Sequence, residues 1–162
     1  MTWTLTLAYA VHILSTVMWL GAVLSLFDID RTLPQKPDTP EAWLRGYRVY
    51  LRLAWMALAF LWATGMFQMS RHPLYTGMLD FSTAWAKALL FKHLLVLVWM
   101  AFLGYQQLVQ MPRWERWSLA FRAGKTEHPW EKVRREIRRG LRVQQILALF
   151  VLVVTAWLRA QA

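Results

Sequence analysis

Residues 5–27 read LTLAYAVHILSTVMWLGAVLSLF, a run of 23 residues without a charged side chain. A helix needs about 20 apolar residues to cross the hydrocarbon core of a bilayer. Three further uncharged runs follow, at residues 53–69, 94–111 and 143–158. The four runs predict an all-α integral membrane protein, a bundle of four transmembrane helices. We place these helices at residues 3–27, 45–69, 82–110 and 141–158 of the sequence.

The composition of the whole chain is that of a membrane protein. The chain has 162 residues, of which 57% are hydrophobic and 11 are Trp, and its mean hydropathy is +0.28. This length predicts a single domain over residues 1–162. Cysteine is absent, which excludes disulfides, thiolate-held iron–sulfur clusters and covalently attached c-type haem.

The basic residues are concentrated in two segments between the uncharged runs. The net charge is +10, and of 19 Lys and Arg, five lie between the first two runs and ten between the last two. Cytoplasmic loops carry such an excess, so we expect segments 28–44 and 111–140 in the cytoplasm and both termini outside a bacterial inner membrane. Because this charge flanks membrane spans, it predicts contact with anionic lipid head groups rather than with nucleic acid.

The second helix has two local signals. Thr39 followed by Pro40 fits the cap and the first position of a helix that begins outside the membrane and then enters it. Further along, Ala59 and Ala63 form a pair of small residues four apart. Such pairs are suited to close contact with a neighbouring helix.

The second cytoplasmic segment carries the pattern of an amphipathic helix. Trp114, Trp117 and Phe121 recur at i, i+3 and i+7, with arginines beside them. This pattern predicts a basic helix that lies in the membrane interface on the cytoplasmic side. A second basic helix follows it and leads into the fourth span.

Two histidines, His12 and His93, lie inside the first and third spans. They come nine and eight residues after the interfacial Trp3 and Trp85, which places both about 12 to 14 Å deep on parallel helices. Matching depth is what a metal held between two helices requires. We therefore predict haem b held between His12 and His93, in a protein with a redox or electron-transfer role. A hydrogen bond from each histidine to a neighbouring helix is the alternative, and the residue types also allow copper or a quinone site.

Two lysines accompany these histidines. An ammonium group in the hydrocarbon core costs about 3 kcal/mol at the helix centre, so it needs a partner. Haem propionates would be suitable partners for Lys87, which lies nearer the outer surface. The alternative is that the Lys87 side chain extends to the interface by snorkelling. Lys92 lies too deep to snorkel easily, which makes it the more informative of the two.

A third cluster favours a different metal. Met66, Met69 and His72 lie at i, i+3 and i+6 at the outward end of the second helix. Thioether and imidazole groups suit Cu(I), although methionine also fills gaps in ordinary helix packing. This cluster supports an alternative function, copper transport through the membrane.

Three stretches resemble one membrane protein family. HILSTVMWLGA at residues 12–22 resembles the first-helix pattern of the CopD and HemJ proteins, in which a His is followed by Trp and Gly. YRVYLRLAWMALAFLWATGM at 47–66 is similar to their second helix, and WAKALLFKHLLVLV at 85–98 to their helix that opens with a lysine. The resemblance extends over about residues 5–110.

The resemblance implies an all-helical membrane bundle with one of two activities. On the HemJ side it implies haem b and oxidation of protoporphyrinogen, with His12 and Lys92 (or else Lys87) as essential residues and Lys92 in the catalytic role. A quinone would be the other redox substrate. On the CopD side it implies copper uptake across the inner membrane. In place of the aromatic-His-His that HemJ proteins carry, residues 104–107 read GYQQ.

A third alternative is an accessory subunit of a respiratory or photosynthetic membrane complex.

Overall fold

The computed structural model describes residues 3–32, 40–71, 73, 75, 77, 81–125 and 130–160. Within these ranges the chain forms five α-helices and no strand. The helices are α1 Trp3–Thr32, α2 Pro40–Met69, α3 Ala84–Tyr105, α4 Met111–Arg122 and α5 Trp130–Ala160, and a π-helical turn, Gln106–Gln110, joins α3 to α4. Four segments are long and apolar enough to cross a membrane: Trp3–Asp28, Trp43–Met69, Ala84–Arg122 and Glu131–Trp157. The protein is therefore all-α with four membrane-spanning helices, as its sequence predicts.

The helices extend beyond the uncharged runs that predict them. α1 continues to Thr32, past its expected end near residue 27, and α2 begins at Pro40, where the cap signal places it. Much of the predicted loop 111–140 is helical, since α4 and the start of α5 fall within it. The physical reason is that hydrocarbon thickness limits the uncharged run, whereas backbone hydrogen bonding continues a helix into the head-group region.

α1 packs along α2, and α3 packs along α5, which also contacts α1. Three small residues of α1 and α2 are buried: Ala22, Ala54 and Ala57, each at most 3% exposed. Ala59 and Ala63, whose spacing is suited to close helix contact, are exposed among the described helices. α2 therefore buries a different pair of small residues.

An aromatic cluster fixes α4 beneath the start of α2. The ring of Trp114 lies 5.3 Å from that of Trp43 and 5.5 Å from that of Tyr47, centroid to centroid. Such pairs contribute about 0.5–1.5 kcal/mol each beyond the area that they bury. Trp114 is buried, so it packs in the core rather than against lipid, and this corrects its predicted interfacial position.

A buried hydrogen-bond chain links three of the helices near the π-helical turn. The Tyr50 hydroxyl donates to Gln144 Oε1, and Gln144 Nε2 donates to Gln106 Oε1. Pro112 causes the π-helical turn. It has no N–H to donate, and in a regular α-helix its ring would clash with the carbonyl of Leu108. The wider turn relieves that clash and lets α3 continue into α4.

The outward face of the spans is apolar. Leu14 is 69% exposed, Leu97 47% and Val153 57%. Exposing apolar surface of this extent to water is unfavourable, whereas contact with lipid hydrocarbon carries no such free-energy penalty. The outward face of the bundle therefore contacts lipid.

Candidate functional site

A cavity of about 150 Å³ lies between the four spanning helices. It is formed by the first parts of α1 and α3 and the last parts of α2 and α5, which we call the outer half after the predicted orientation. The lining residues include both intramembrane histidines, His12 and His93, together with Lys92, Met66 and Met69. The fold thus brings five of the predicted site residues to one place, which we call the four-helix cavity.

His12 is held by a hydrogen bond to α2. Its Nδ1 lies 2.8 Å from Thr64 Oγ1, and that hydroxyl lies 2.6 Å from the carbonyl oxygen of Phe60. A carbonyl oxygen only accepts, so Thr64 gives its single proton to Phe60. Thr64 must then accept from His12, which places the ring proton on Nδ1.

His93 is held within its own helix. Its Nδ1 lies 2.7 Å from the carbonyl oxygen of Leu89, so this nitrogen is also the one that carries the proton. The ring of Trp62 stands edge-on to the imidazole, with centroids 5.7 Å apart and planes at 87°. Hydrogen bond and ring contact together fix the orientation of His93 toward α2.

Each imidazole therefore carries a proton on Nδ1. When such a ring is neutral, its lone pair is on Nε2, which is the state that binds a metal ion. Metal-binding histidines usually donate their other N–H to a carbonyl or a similar acceptor, and this bond orients the ring. His12 and His93 have those supporting bonds already.

Met66 and Met69 add two thioethers to the lining of the four-helix cavity. Among the described residues that line it, there is no Asp or Glu. Among the described residues no group of three or more His, Cys, Asp and Glu is placed to hold a metal ion. A metal site built from His12, His93, Met66 and Met69 would combine imidazole nitrogen with sulfur, which is a donor set for a soft ion.

Two tryptophans line the four-helix cavity on its inner side. Trp19 and Trp99 follow the histidines by seven and six residues and meet edge to face, with ring centroids 5.6 Å apart. They are 4% and 1% exposed. Their buried indole N–H groups have no hydrogen-bond partner within the described part of the chain. Along α3 and the π-helical turn, Trp99 lies between His93 and Gln106, so the pair lies on the side of the cavity that faces the Tyr50–Gln144–Gln106 chain.

Other predicted residues lie elsewhere, and one important residue was not predicted. Lys87 is exposed and is not part of the cavity lining, while His72 lies outside the described residues. Thr64, which orients His12, escaped the sequence analysis. The pairing of α1 with α2 is needed to identify it: Gln68 donates to the carbonyl oxygen of Ala8, four residues from Thr64 and from His12. That pairing is visible in the structure and not in the sequence.

The haem prediction requires room for a porphyrin between His12 and His93. Sites for drug-sized ligands measure about 300–1,000 Å³, whereas the four-helix cavity measures about 150 Å³. Lys87, the expected partner of a propionate, lies outside it. Nothing in the described residues therefore supports haem, haem iron or electron transport.

One comparison with known proteins gave a match. The family model of copper resistance protein D, CopD, matches residues 44–158, while no curated protein and no solved structure matches the chain. The matched range includes Met66, Met69, Lys92 and His93. His12 precedes it, so the place of His12 at the cavity rests on the structure. The match confirms the CopD side of the resemblance and does not extend to HemJ.

Proposed function

The chain belongs to the copper resistance protein D family, and from that premise we propose that it binds Cu(I) within the membrane and carries it across. The four-helix cavity is the binding site in this proposal. The observation that carries it is the convergence on one cavity of two imidazoles in the metal-binding tautomer and two thioethers.

The donor types favour Cu(I) over other common ions. Cu(I) is soft and prefers thioether and imidazole ligands, whereas Mg²⁺ and Ca²⁺ need several oxygen ligands. The lining residues of the four-helix cavity supply no carboxylate. His12, His93, Met66 and Met69 would replace the water around the ion, which lowers the cost of placing a charge at this depth.

Lys92 gives the site a property suited to transport. Its side chain lines the same cavity as the four ligands, and an ammonium group repels a bound cation. A conducting site must bind an ion well enough to admit it and weakly enough to release it. In our proposal Lys92 limits the residence of copper, and this role replaces the catalytic one expected from the HemJ resemblance.

The Trp19–Trp99 pair would control passage toward the inner half. The two rings are almost fully buried and stand between the cavity and the polar chain at Gln106 and Gln144. An ion that leaves the cavity inward must displace at least one indole ring. We propose that this pair is the closed gate of the transport path.

A titration of the purified chain with Cu(I) tests the proposal. Competition with a chromophoric Cu(I) chelator, in detergent and without oxygen, should show one ion bound per chain. Met66→Leu and Met69→Leu keep side-chain volume but remove sulfur, so each should weaken binding by about tenfold or more.

The matched control is Met56→Leu, because Met56 lies on the same helix, is 52% exposed and is absent from the cavity lining. It should bind copper as the parent does. Equal affinity in all three variants, or no binding by the parent chain, would remove copper from the four-helix cavity.

A further inference from the structure

A second pocket lies at the inner end of the bundle, between α4 and the start of α5. Its volume is about 360 Å³, which falls within the range of about 300–1,000 Å³ that small-molecule sites occupy. We call it the basic pocket, because its polar lining residues are three cations and one carboxylate: Arg113, Arg116, Lys132 and Glu136. It is separate from the four-helix cavity and shares no residue with it.

The cations of the basic pocket, unlike neighbouring arginines, form no ion pair with a described residue. Arg48 lies 2.8 Å from Glu115 of α4. Arg122 lies 2.5 Å from Glu41 at the start of α2. Both of these carboxylates are therefore already in ion pairs. Within the described ranges, by contrast, no ion pair involves the three pocket cations or Glu136. Among the described residues, the basic pocket therefore keeps an excess of positive charge that no ion pair neutralises.

Aromatic rings form the wall of the basic pocket and hold it in shape. Trp114 and Trp117 both line it. Trp114 is buried against Trp43 of α2, and Trp117 stacks on Phe121 at 5.3 Å between centroids. Because these rings are packed from behind, the guanidinium and ammonium groups stand on a rigid apolar base rather than on a loose loop.

We propose that the basic pocket binds the phosphate head group of an anionic phospholipid. Guanidinium groups match phosphate oxygens with two parallel hydrogen bonds, and basic pockets beside membrane spans are suited to such head groups. The apolar wall, formed by Trp114, Trp117, Ala120 and Val133, fits the glycerol and upper acyl chain. This inference is independent of copper binding.

The location decides between lipid and free phosphate. α4 continues directly from the spanning helix α3 through the π-helical turn, so the basic pocket sits where a span leaves the membrane. The local concentration of lipid phosphate there far exceeds that of dissolved phosphate. The ligand chemistry is the same for both sources, and experiment separates them.

The test measures lipid affinity of the full chain in uncharged detergent, from the rise in unfolding temperature as lipid is added. Phosphatidylglycerol is the anionic probe, phosphatidylcholine the zwitterionic one, and inorganic phosphate the free anion. The pocket variant combines Arg116→Gln with Lys132→Gln. The control variant combines Arg135→Gln with Arg142→Gln, which removes the same charge from exposed positions of α5 outside the pocket lining.

We expect phosphatidylglycerol to bind the parent chain and the control variant within about twofold of each other, and the pocket variant about tenfold more weakly. Equal loss in the two variants would overturn the proposal, because it would mean that diffuse charge attracts the lipid. Equal binding of phosphatidylcholine would also overturn it. A full effect from inorganic phosphate alone would make this a free-anion site and refute the lipid assignment.

Discussion

His12 donates its Nδ1 proton to Thr64 Oγ1 across 2.8 Å, and this one bond between α1 and α2 sets the chemistry of the other ring nitrogen. The Thr64 hydroxyl donates its proton to the carbonyl oxygen of Phe60, so it can only accept from His12. The backbone of α2 therefore determines that His12 Nδ1 carries a proton. The bond therefore links the packing of two helices to the readiness of a metal ligand.

The first prediction concerns Thr64. Thr64→Val preserves the shape of the side chain but removes the acceptor, so His12 loses its orientation and its fixed tautomer. We expect Cu(I) affinity to fall by about tenfold or more, measured by chelator competition, while the helix content is retained. Thr64→Ser should restore most of the affinity, because it returns the hydroxyl.

Thr155→Val is the matched control for that change. Thr155 also lines the four-helix cavity, but its hydroxyl donates to the carbonyl of Val151 at 2.7 Å within α5. Copper affinity should be unchanged in this variant. If Thr64→Val and Thr155→Val behaved alike, the orientation of His12 would not depend on Thr64.

The four spans could be predicted from the sequence because bilayer thickness demands a minimum length of uncharged helix. The contact faces could not. Ala59 and Ala63 satisfy the spacing rule for close packing, yet Ala54 and Ala57 are the ones that are buried. Spacing identifies residues that share a face, but the rotation of that face depends on every neighbouring helix at once.

The site could be predicted in depth but not in full. Helix rise alone places His12 and His93 at the same depth, and in the structure both line the four-helix cavity. The same argument gave Met66 and Met69 to a separate outer site with His72, because their rotation toward the histidines depends on how α2 packs. The cavity size, which gives no support to a porphyrin, is a property of packing alone.

The second prediction concerns Lys92. Lys92→Met keeps a long flexible side chain and removes a positive charge from the cavity lining, so repulsion of Cu(I) disappears. Affinity should rise by about tenfold, while transport into vesicles should slow because release slows. Lys87→Met, an exposed change on the same helix, should alter neither. Weaker copper binding by Lys92→Met would contradict the repulsive role.

The third prediction concerns the inner half of the bundle. Tyr50→Phe removes the donor to Gln144 Oε1 and leaves a buried acceptor without a partner, which costs about 1–3 kcal/mol. The unfolding temperature in detergent should fall. Tyr105→Phe should leave it nearly unchanged, because Tyr105 is 44% exposed. Equal stability of both variants would show that the chain from Tyr50 to Gln106 contributes little.

The fourth prediction concerns orientation. Because 15 of 19 basic residues fall between the first two and the last two uncharged runs, both termini should lie outside the cytoplasm. A reporter enzyme that is active only outside the cytoplasm, fused after Ala162, should be active, and one fused into the segment around Lys125 should not. The opposite pattern would invert the bundle and turn the four-helix cavity toward the cytoplasm.

The copper X-ray absorption spectrum of the Cu(I)-loaded chain tests the central claim most directly. The chain has no Cys, so any sulfur bound to copper must belong to methionine. We predict a first shell with both imidazole nitrogen and sulfur, from which Met66→Leu with Met69→Leu removes the sulfur and His12→Ala removes part of the nitrogen. A shell without sulfur, or one that these substitutions leave unchanged, would contradict the assignment of the four-helix cavity as the copper site.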